Sequence, residues 1–176
     1  MSADTLVPST GYLVWRLAAK WRAGLDRAIG HLGLTSAQYG VLASLHGLAA
    51  SGTQPSQREL AEFVGFEPMF VSTLARSLER SGLVERRAHV KDPRALQLGL
   101  TPRGVKVLRA ARKIVVQLEQ QRLAVLGGHE SRGSVALRES LVALLRDAST
   151  TSPAPRPSAN AKRRTSARQR PTRDVV

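Results

Sequence analysis

The chain of 176 residues contains no cysteine, which excludes disulfides, thiolate zinc sites and thiol-based redox sensing together. Aromatic residues make up only 4% of the sequence, so a core has to be built from Leu, Val and Ala, a composition that favours helices. No apolar run approaches the roughly 20 residues needed to cross a bilayer. The opening MSADTLVPST lacks the basic and apolar regions of a secretory signal. A cytoplasmic, nucleoid-associated protein with no membrane partner is the expectation. Catalytic groupings are missing too: the four histidines are dispersed, no pair has metal-ligand spacing, and neither a Gly-rich phosphate loop nor a Gly-x-Ser-x-Gly turn occurs. Neither an enzyme nor a bound cofactor is expected.

Negative charge is the other scarcity, with 13 acidic residues against 27 basic ones and a net charge of +14. A small protein this basic is drawn to polyanions. Residues 151–176 alone carry +6 and are rich in Pro, Ser and Ala, a composition that cannot bury enough apolar surface to order itself. Residues 149–176 are therefore expected to be a disordered basic tail, and residues 1–10 a flexible N-terminus. The first 150 residues still carry +8.

What is present is helical patterning with clear punctuation. Within residues 11–32, Val14, Ala18, Trp21, Leu25, Ala28 and Leu32 recur at heptad spacing, a seam suited to packing on another long helix. Thr35 and Gln38 have capping-box spacing at the start of a second helix, with Leu34 and Tyr39 placed as a hydrophobic staple. Ser56 and Glu59 repeat the box for a short third helix that Gly65 ends. Pro68 opens a fourth helix running toward Gly82. Short helix, glycine turn, longer helix is the layout of a helix-turn-helix.

On the fourth helix Val71, Leu74, Ala75 and Leu78 share one face and must point inward. The opposite face then carries Met69, Thr73, Arg76 and Arg80, flanked by Phe70, Ser72 and Ser77, a set able to meet base edges and thymine methyls in a major groove. Leu83 to Ala88 and Leu96 to Leu100 read as a two-stranded hairpin, with Arg86, Arg87, His89, Lys91, Asp92 and Arg94 near or at its tip. Thr101 and Pro102 begin a long fifth helix, Gly127 and Gly128 end it, and a last helix is expected near residues 134–148. The expected fold is mostly helical: a winged helix-turn-helix with a small β-hairpin wing and extra helices at both ends.

Four stretches in register, GLTSAQYGVLASL, PSQRELAEFVGFEPMFVSTLARSLERSGLVERR, DPR and LTPRG, resemble the MarR family of bacterial transcription regulators. The resemblance spans residues 11–148. It implies a DNA-binding lobe over about residues 35–101, dimerisation helices over about 11–32 and 102–148, and an obligate homodimer. It also implies a wing in which Asp92 orients Arg94 toward a minor groove, where a narrow groove's negative potential favours a guanidinium. The expected DNA-contacting set is Ser56, Gln57, Pro68, Met69, Phe70, Ser72, Thr73, Arg76, Arg80, Arg86, Arg87, Lys91, Asp92 and Arg94. Ser56 equally suits a purely capping role, and Arg86, Arg87 and Lys91 equally suit solvated charges.

The sequence departs from the family at the fourth helix. Family members often read Asp-Pro-Ser-Thr-Val-Thr-Arg there, whereas Met69 and Phe70 replace hydroxyls in this chain, so no relative's operator carries over. Pro93 also restricts the wing loop. Many members bind small anionic aromatic or lipophilic ligands in a cleft between their lobes, and the candidates for such an effector are Tyr12, Trp15, Arg16, His31, Tyr39 and His46, with Trp21 nearby. Taken singly, Trp15 and Tyr39 read as core and Arg16 as solvated. The expected function is a dimeric, sequence-specific regulator of a pseudo-palindromic operator on double-stranded DNA, acting as a repressor relieved by a small molecule. The competing reading is a nonspecific nucleic-acid or chromosome-associated protein driven by the tail.

Overall fold

Local chemistry sets the helix starts. The computed structural model describes residues 8–88 and 96–150. Helix α1 (Thr10–Ile29) begins where the Tyr12 amide donates to Ser9 Oγ at 3.3 Å, and a single 3-10 turn, Gly30–Leu32, extends it. Both expected capping boxes form, Thr35 with Gln38 at the head of α2 (Ser36–Ala50) and Ser56 with Glu59 at the head of α3 (Gln57–Val64). Gly65, at φ 69°, takes the left-handed conformation that ends α3, and Pro68 starts α4 (Pro68–Arg80). Strands β1 (Val84–Ala88) and β2 (Leu96–Leu100) pair antiparallel with Val84 opposite Leu100 and Arg86 opposite Leu98. Helix α5 (Pro102–Leu123) follows, then a 3-10 turn at Ala124–Leu126, then α6 (Arg132–Thr150). The last helix starts two residues earlier than expected because Ser131 caps it, accepting from the Ser134 amide at 3.2 Å.

The result is a mostly helical winged helix-turn-helix fold with a two-stranded wing. One core holds it together, with Ile29 of α1, Leu42 of α2, Leu60 of α3, Leu78 of α4, Leu98 of β2 and Leu108 of α5 all essentially inaccessible to water. The inward stripe on α4 falls as its spacing requires: Val71, Leu74, Ala75 and Leu78 are all buried. No helix among the described residues is long and apolar enough to cross a membrane.

The heptad seam of α1 divides. Trp21, Leu25, Ala28 and Leu32 are half-buried against their own chain, but Val14 and Ala18 are exposed, as is Trp15 beside the seam. Trp15, read above as core, is 64% accessible. The spacing that makes an apolar stripe does not say which surface covers it. Helix α6 behaves similarly, with Val142, Leu144 and Leu145 bare in the single chain.

Two junctions fix how the helices meet. Thr101 Oγ1 donates to the Gly82 carbonyl at 2.7 Å and accepts from the Gly104 amide at 3.0 Å, while its own amide donates to the Leu83 carbonyl at 3.1 Å. Gly104 lies so close to Leu83 that a β-carbon there would collide with the Leu83 carbonyl oxygen. At the far end of α5, the Arg122 guanidinium donates to the carbonyls of Trp21 and Lys20 at 3.2 and 3.3 Å and lies over the Trp21 ring. Gly24 leaves the slot this side chain fills. Burial, with a smaller contribution from nearby Arg27, pulls the Arg122 pKa below its ordinary value.

Gly104→Ala is expected to destabilise the fold by about 1–3 kcal/mol through overpacking at Leu83. Gly47→Ala, inside α2 with open space around the new methyl, should instead stabilise by up to about 1 kcal/mol through helix propensity. Thermal unfolding at one fixed protein concentration checks the opposite signs; equal shifts would remove the close-approach argument.

Candidate nucleic-acid interface

Helix α4 projects its outward residues because its other face is committed to the core. Met69 is 75% accessible and Phe70 45%, and Pro68, Thr73, Arg76 and Arg80 are exposed. The Phe70 ring is braced edge-on by Phe66, with centroids 5.3 Å apart. Thr73 Oγ1 donates to the Met69 carbonyl at 3.0 Å, so its hydroxyl proton is spent within the helix. Neither Arg76 nor Arg80 is paired with a carboxylate among the described residues. Ser72 is half-buried, and Ser77 turns toward α2, where Gln38 Nε2 donates to its Oγ at 3.2 Å.

The start of α3 lies beside the wing. Ser56 Oγ accepts from the Glu59 amide at 3.2 Å, and the Glu59 carboxylate accepts from the Ser56 amide at 2.7 Å. The Ser56 hydroxyl proton is left over for another acceptor. The buried Gln57 Nε2 has no partner among the described residues. Ahead of α3, the Leu98 amide donates to the Pro55 carbonyl at 3.2 Å, Ser56 bridges to Gln97, and Gln97 Nε2 donates to Gln54 Oε1. These bonds staple strand β2 to the loop that positions α3.

On β1, Arg86 pairs with Glu79 of α4, both being largely sheltered at 26% and 37% side-chain accessibility, whereas Arg87 pairs with Glu85 at 2.8 Å on the surface. Of the expected contact set, the structure thus brings Pro68, Met69, Phe70, Thr73, Arg76 and Arg80 to one outward surface and commits Arg86 to a bond inside the lobe. Lys91, Asp92 and Arg94, with His89 and Pro93, lie outside the described residues. Gln38 was singled out only as a capping-box partner, and Gln54, Glu79 and Gln97 were not singled out in the sequence. Nothing in their local pattern marks them, because each is defined by a partner distant along the chain.

The six effector candidates do not converge. Tyr12 and Trp15 stack with centroids 6.1 Å apart, and Arg16 lies 5.7 Å from the Tyr12 ring centre, all on the exposed start of α1. His31 is exposed at the other end of that helix. Tyr39 is half-buried against the core, and burial raises its pKa above 10.0, with Arg112 opposing and Glu119 adding a smaller push. His46 lines a cavity of about 280 Å³ between α2 and the base of the wing, together with Leu45, Ala49, Pro55, Leu98 and Val105. A second chamber, with His46, Val105, Arg109 and Arg112 in its wall, adjoins it. No group of three or more His, Asp or Glu among the described residues could hold a metal ion.

The MarR family profile matches residues 32–95. The uncharacterized HTH-type transcriptional regulator YdcH of Bacillus subtilis (strain 168) is 33% identical over 112 residues, which is 64% of this chain and 76% of YdcH. The HTH-type transcriptional repressor Rv2887 of Mycobacterium tuberculosis (strain ATCC 25618 / H37Rv) is 31% identical over 131 residues, 74% of this chain and 91% of Rv2887. The chain belongs to the MarR family. Among solved structures, the PcaV transcriptional regulator from Streptomyces coelicolor, in complex with its natural ligand, is similar with a TM-score of 0.67 at 26% identity, covering 84% of this chain and 99% of PcaV.

As a MarR-family protein the chain is a DNA-binding transcription regulator and not an enzyme. The Arg86–Glu79 pair ties the wing to α4 and occupies the Arg86 guanidinium within the lobe. Glu79→Gln is expected to release Arg86 and to steepen the salt dependence of binding to an arbitrary duplex by about 0.9 logarithmic units for each phosphate gained. Titrations at several salt concentrations measure that slope, and an unchanged slope would mean that Arg86 stays off the DNA in both proteins.

Proposed function

We propose that the protein acts as a homodimer on a pseudo-palindromic duplex, with α4 of each subunit in a major groove and Arg94 of each wing in the adjacent minor groove. The observation that carries this reading is the outward face of α4, where Arg76 and Arg80, unpaired with any carboxylate among the described residues, stand beside exposed Met69, Phe70 and Thr73 while the opposite face is core. Cations give affinity for phosphate and polar base edges, and the other groups discriminate. The homodimer is supported by the bare apolar residues of α1 and α6, Leu13, Trp15, Leu17, Val142, Leu144 and Leu145, which a second copy would cover. Two-fold symmetry implies half-sites about 10 base pairs apart, centre to centre.

Occupancy near a promoter represses by excluding polymerase, a sign that agrees with the name of the Rv2887 relative. Relief comes from a small molecule that prefers a dimer with the wrong helix spacing, a population shift limited by its differential affinity. The ligand held by PcaV supports such an effector, and the cavity at His46 is a place for it in this chain. The +6 tail favours a second reading, phosphate binding without sequence preference.

Fluorescence anisotropy at near-physiological salt separates the two, using DNA from upstream of the protein's own gene, a shuffled duplex of equal length, and chains with and without residues 151–176. Specific recognition should appear as a preference of roughly a thousandfold or more in both chains, with a flatter salt dependence after truncation. Loss of all binding on truncation, with no preference before it, would establish the tail-driven reading. Arg76→Ala should weaken operator binding by about 1–3 kcal/mol while sparing the shuffled duplex; equal losses on both would reduce Arg76 to a phosphate contact.

A further inference from the structure

The reading end of α4 is apolar where a groove-binding helix is ordinarily polar. Met69 is among the most exposed large apolar residues of the described chain, and it occupies the second position of the helix, the end that meets base edges in this class of motif. Phe70 follows it, partly exposed, with its ring held in place by Phe66. Thr73, one turn further on, has given its hydroxyl proton to the Met69 carbonyl and offers only lone pairs and a methyl outward. The guanidinium groups of Arg76 and Arg80 come later along the same face. The first turn therefore presents hydrocarbon and sulfur, and no hydrogen-bond donor from Met69 or Phe70.

Apolar surface left in water on a helix that must bind DNA is stabilised only by meeting apolar surface there. The major groove has one such group on a base edge, the C5 methyl of thymine. A methyl at C5 of cytosine occupies the equivalent place on a pyrimidine. We propose that Met69 and Phe70 form a methyl-reading pair, selecting duplexes that place a pyrimidine C5 methyl, of thymine or 5-methylcytosine, beneath the first turn of α4. The proposal rests on α4 entering the major groove. It assigns these two residues a specificity role distinct from the polar readout of Thr73 and Arg76.

The test starts from the full-length protein and a pool of random duplexes, selected at near-physiological salt and sequenced to obtain the preferred site. Each dT of that site is then replaced by dU, which pairs identically and lacks only the methyl. The expected result is at least one thymine in each half-site whose replacement weakens binding about fourfold, the equivalent of about 0.8 kcal/mol for one buried methyl. Met69→Ala should bind the dT and dU duplexes alike at that position, so the effect resides in the pair and not in the DNA alone. Met69 is solvent-exposed, so this variant keeps the fold, and Phe70→Leu supplies a second variant that retains packing on Phe66. At the same step, 5-methylcytosine should bind more tightly than cytosine to the native protein and equally to Met69→Ala. A site insensitive to uracil throughout, or a uracil penalty unchanged in both variants, would overturn the methyl-reading assignment alone. A pool that yields no motif would overturn the sequence-specific reading and this one with it.

Discussion

One hydroxyl group fixes the geometry on which everything else depends. Thr101 sits where the wing ends and the long helix begins, and its side chain bonds in both directions, to the Gly82 carbonyl behind α4 and to the Gly104 amide inside α5. The Leu83 carbonyl, which accepts from the Thr101 amide, lies against Gly104 with no room for a side chain. The end of the reading helix, the root of the wing and the start of α5 are thus held within a few bonds of one another. This junction joins α5 to α4 directly, beside the packing of both helices on α2 in the shared core.

Around that fixed point the lobe separates two kinds of polar group. Glu79 with Arg86, Gln97 with Gln54 and Gln38 with Ser77 are internal bonds that bind wing, α2, α3 and α4 into one unit. Arg76 and Arg80 have no acid partner among the described residues and stand on the outer face. A buried or half-buried pair is a matter of geometry, since removing one member leaves the other stranded. An unpaired surface cation is free to exchange its counterions for phosphate. The chain's basic excess alone does not distinguish these roles; the register of β1 against α4 does.

Much of this was legible in the sequence because the relevant chemistry is local. The capping boxes at Thr35 and Ser56, the glycine after α3 and the prolines at the heads of α4 and α5 announce themselves within four residues. The inward stripe of α4 follows from helical periodicity. What was not legible depends on partners far along the chain. Arg86 reads as a surface charge until Glu79 is seen beside it, and Gln97 reads as a solvent-facing strand residue although it is only 9% accessible. Val14 and its neighbour Trp15 differ from expectation for a related reason: an apolar residue on a helix is the same whether its own chain or another covers it, and here its own chain does not. The effector candidates show the same limit, since Tyr12 near the start of α1 and His31 in the 3-10 turn after it stand at opposite ends of one segment within a single chain.

The Arg122 slot carries a mechanical consequence. Two charge-assisted bonds to consecutive α1 carbonyls, a ring contact of 4.7 Å with Trp21 and the notch at Gly24 lock the side chain across the helix pair. Sliding α1 by a single residue along α5 would bring a side chain into the notch and break both bonds. The register of α1 along α5 is therefore set at this one crossing, by a side chain that the rest of α5 does not duplicate.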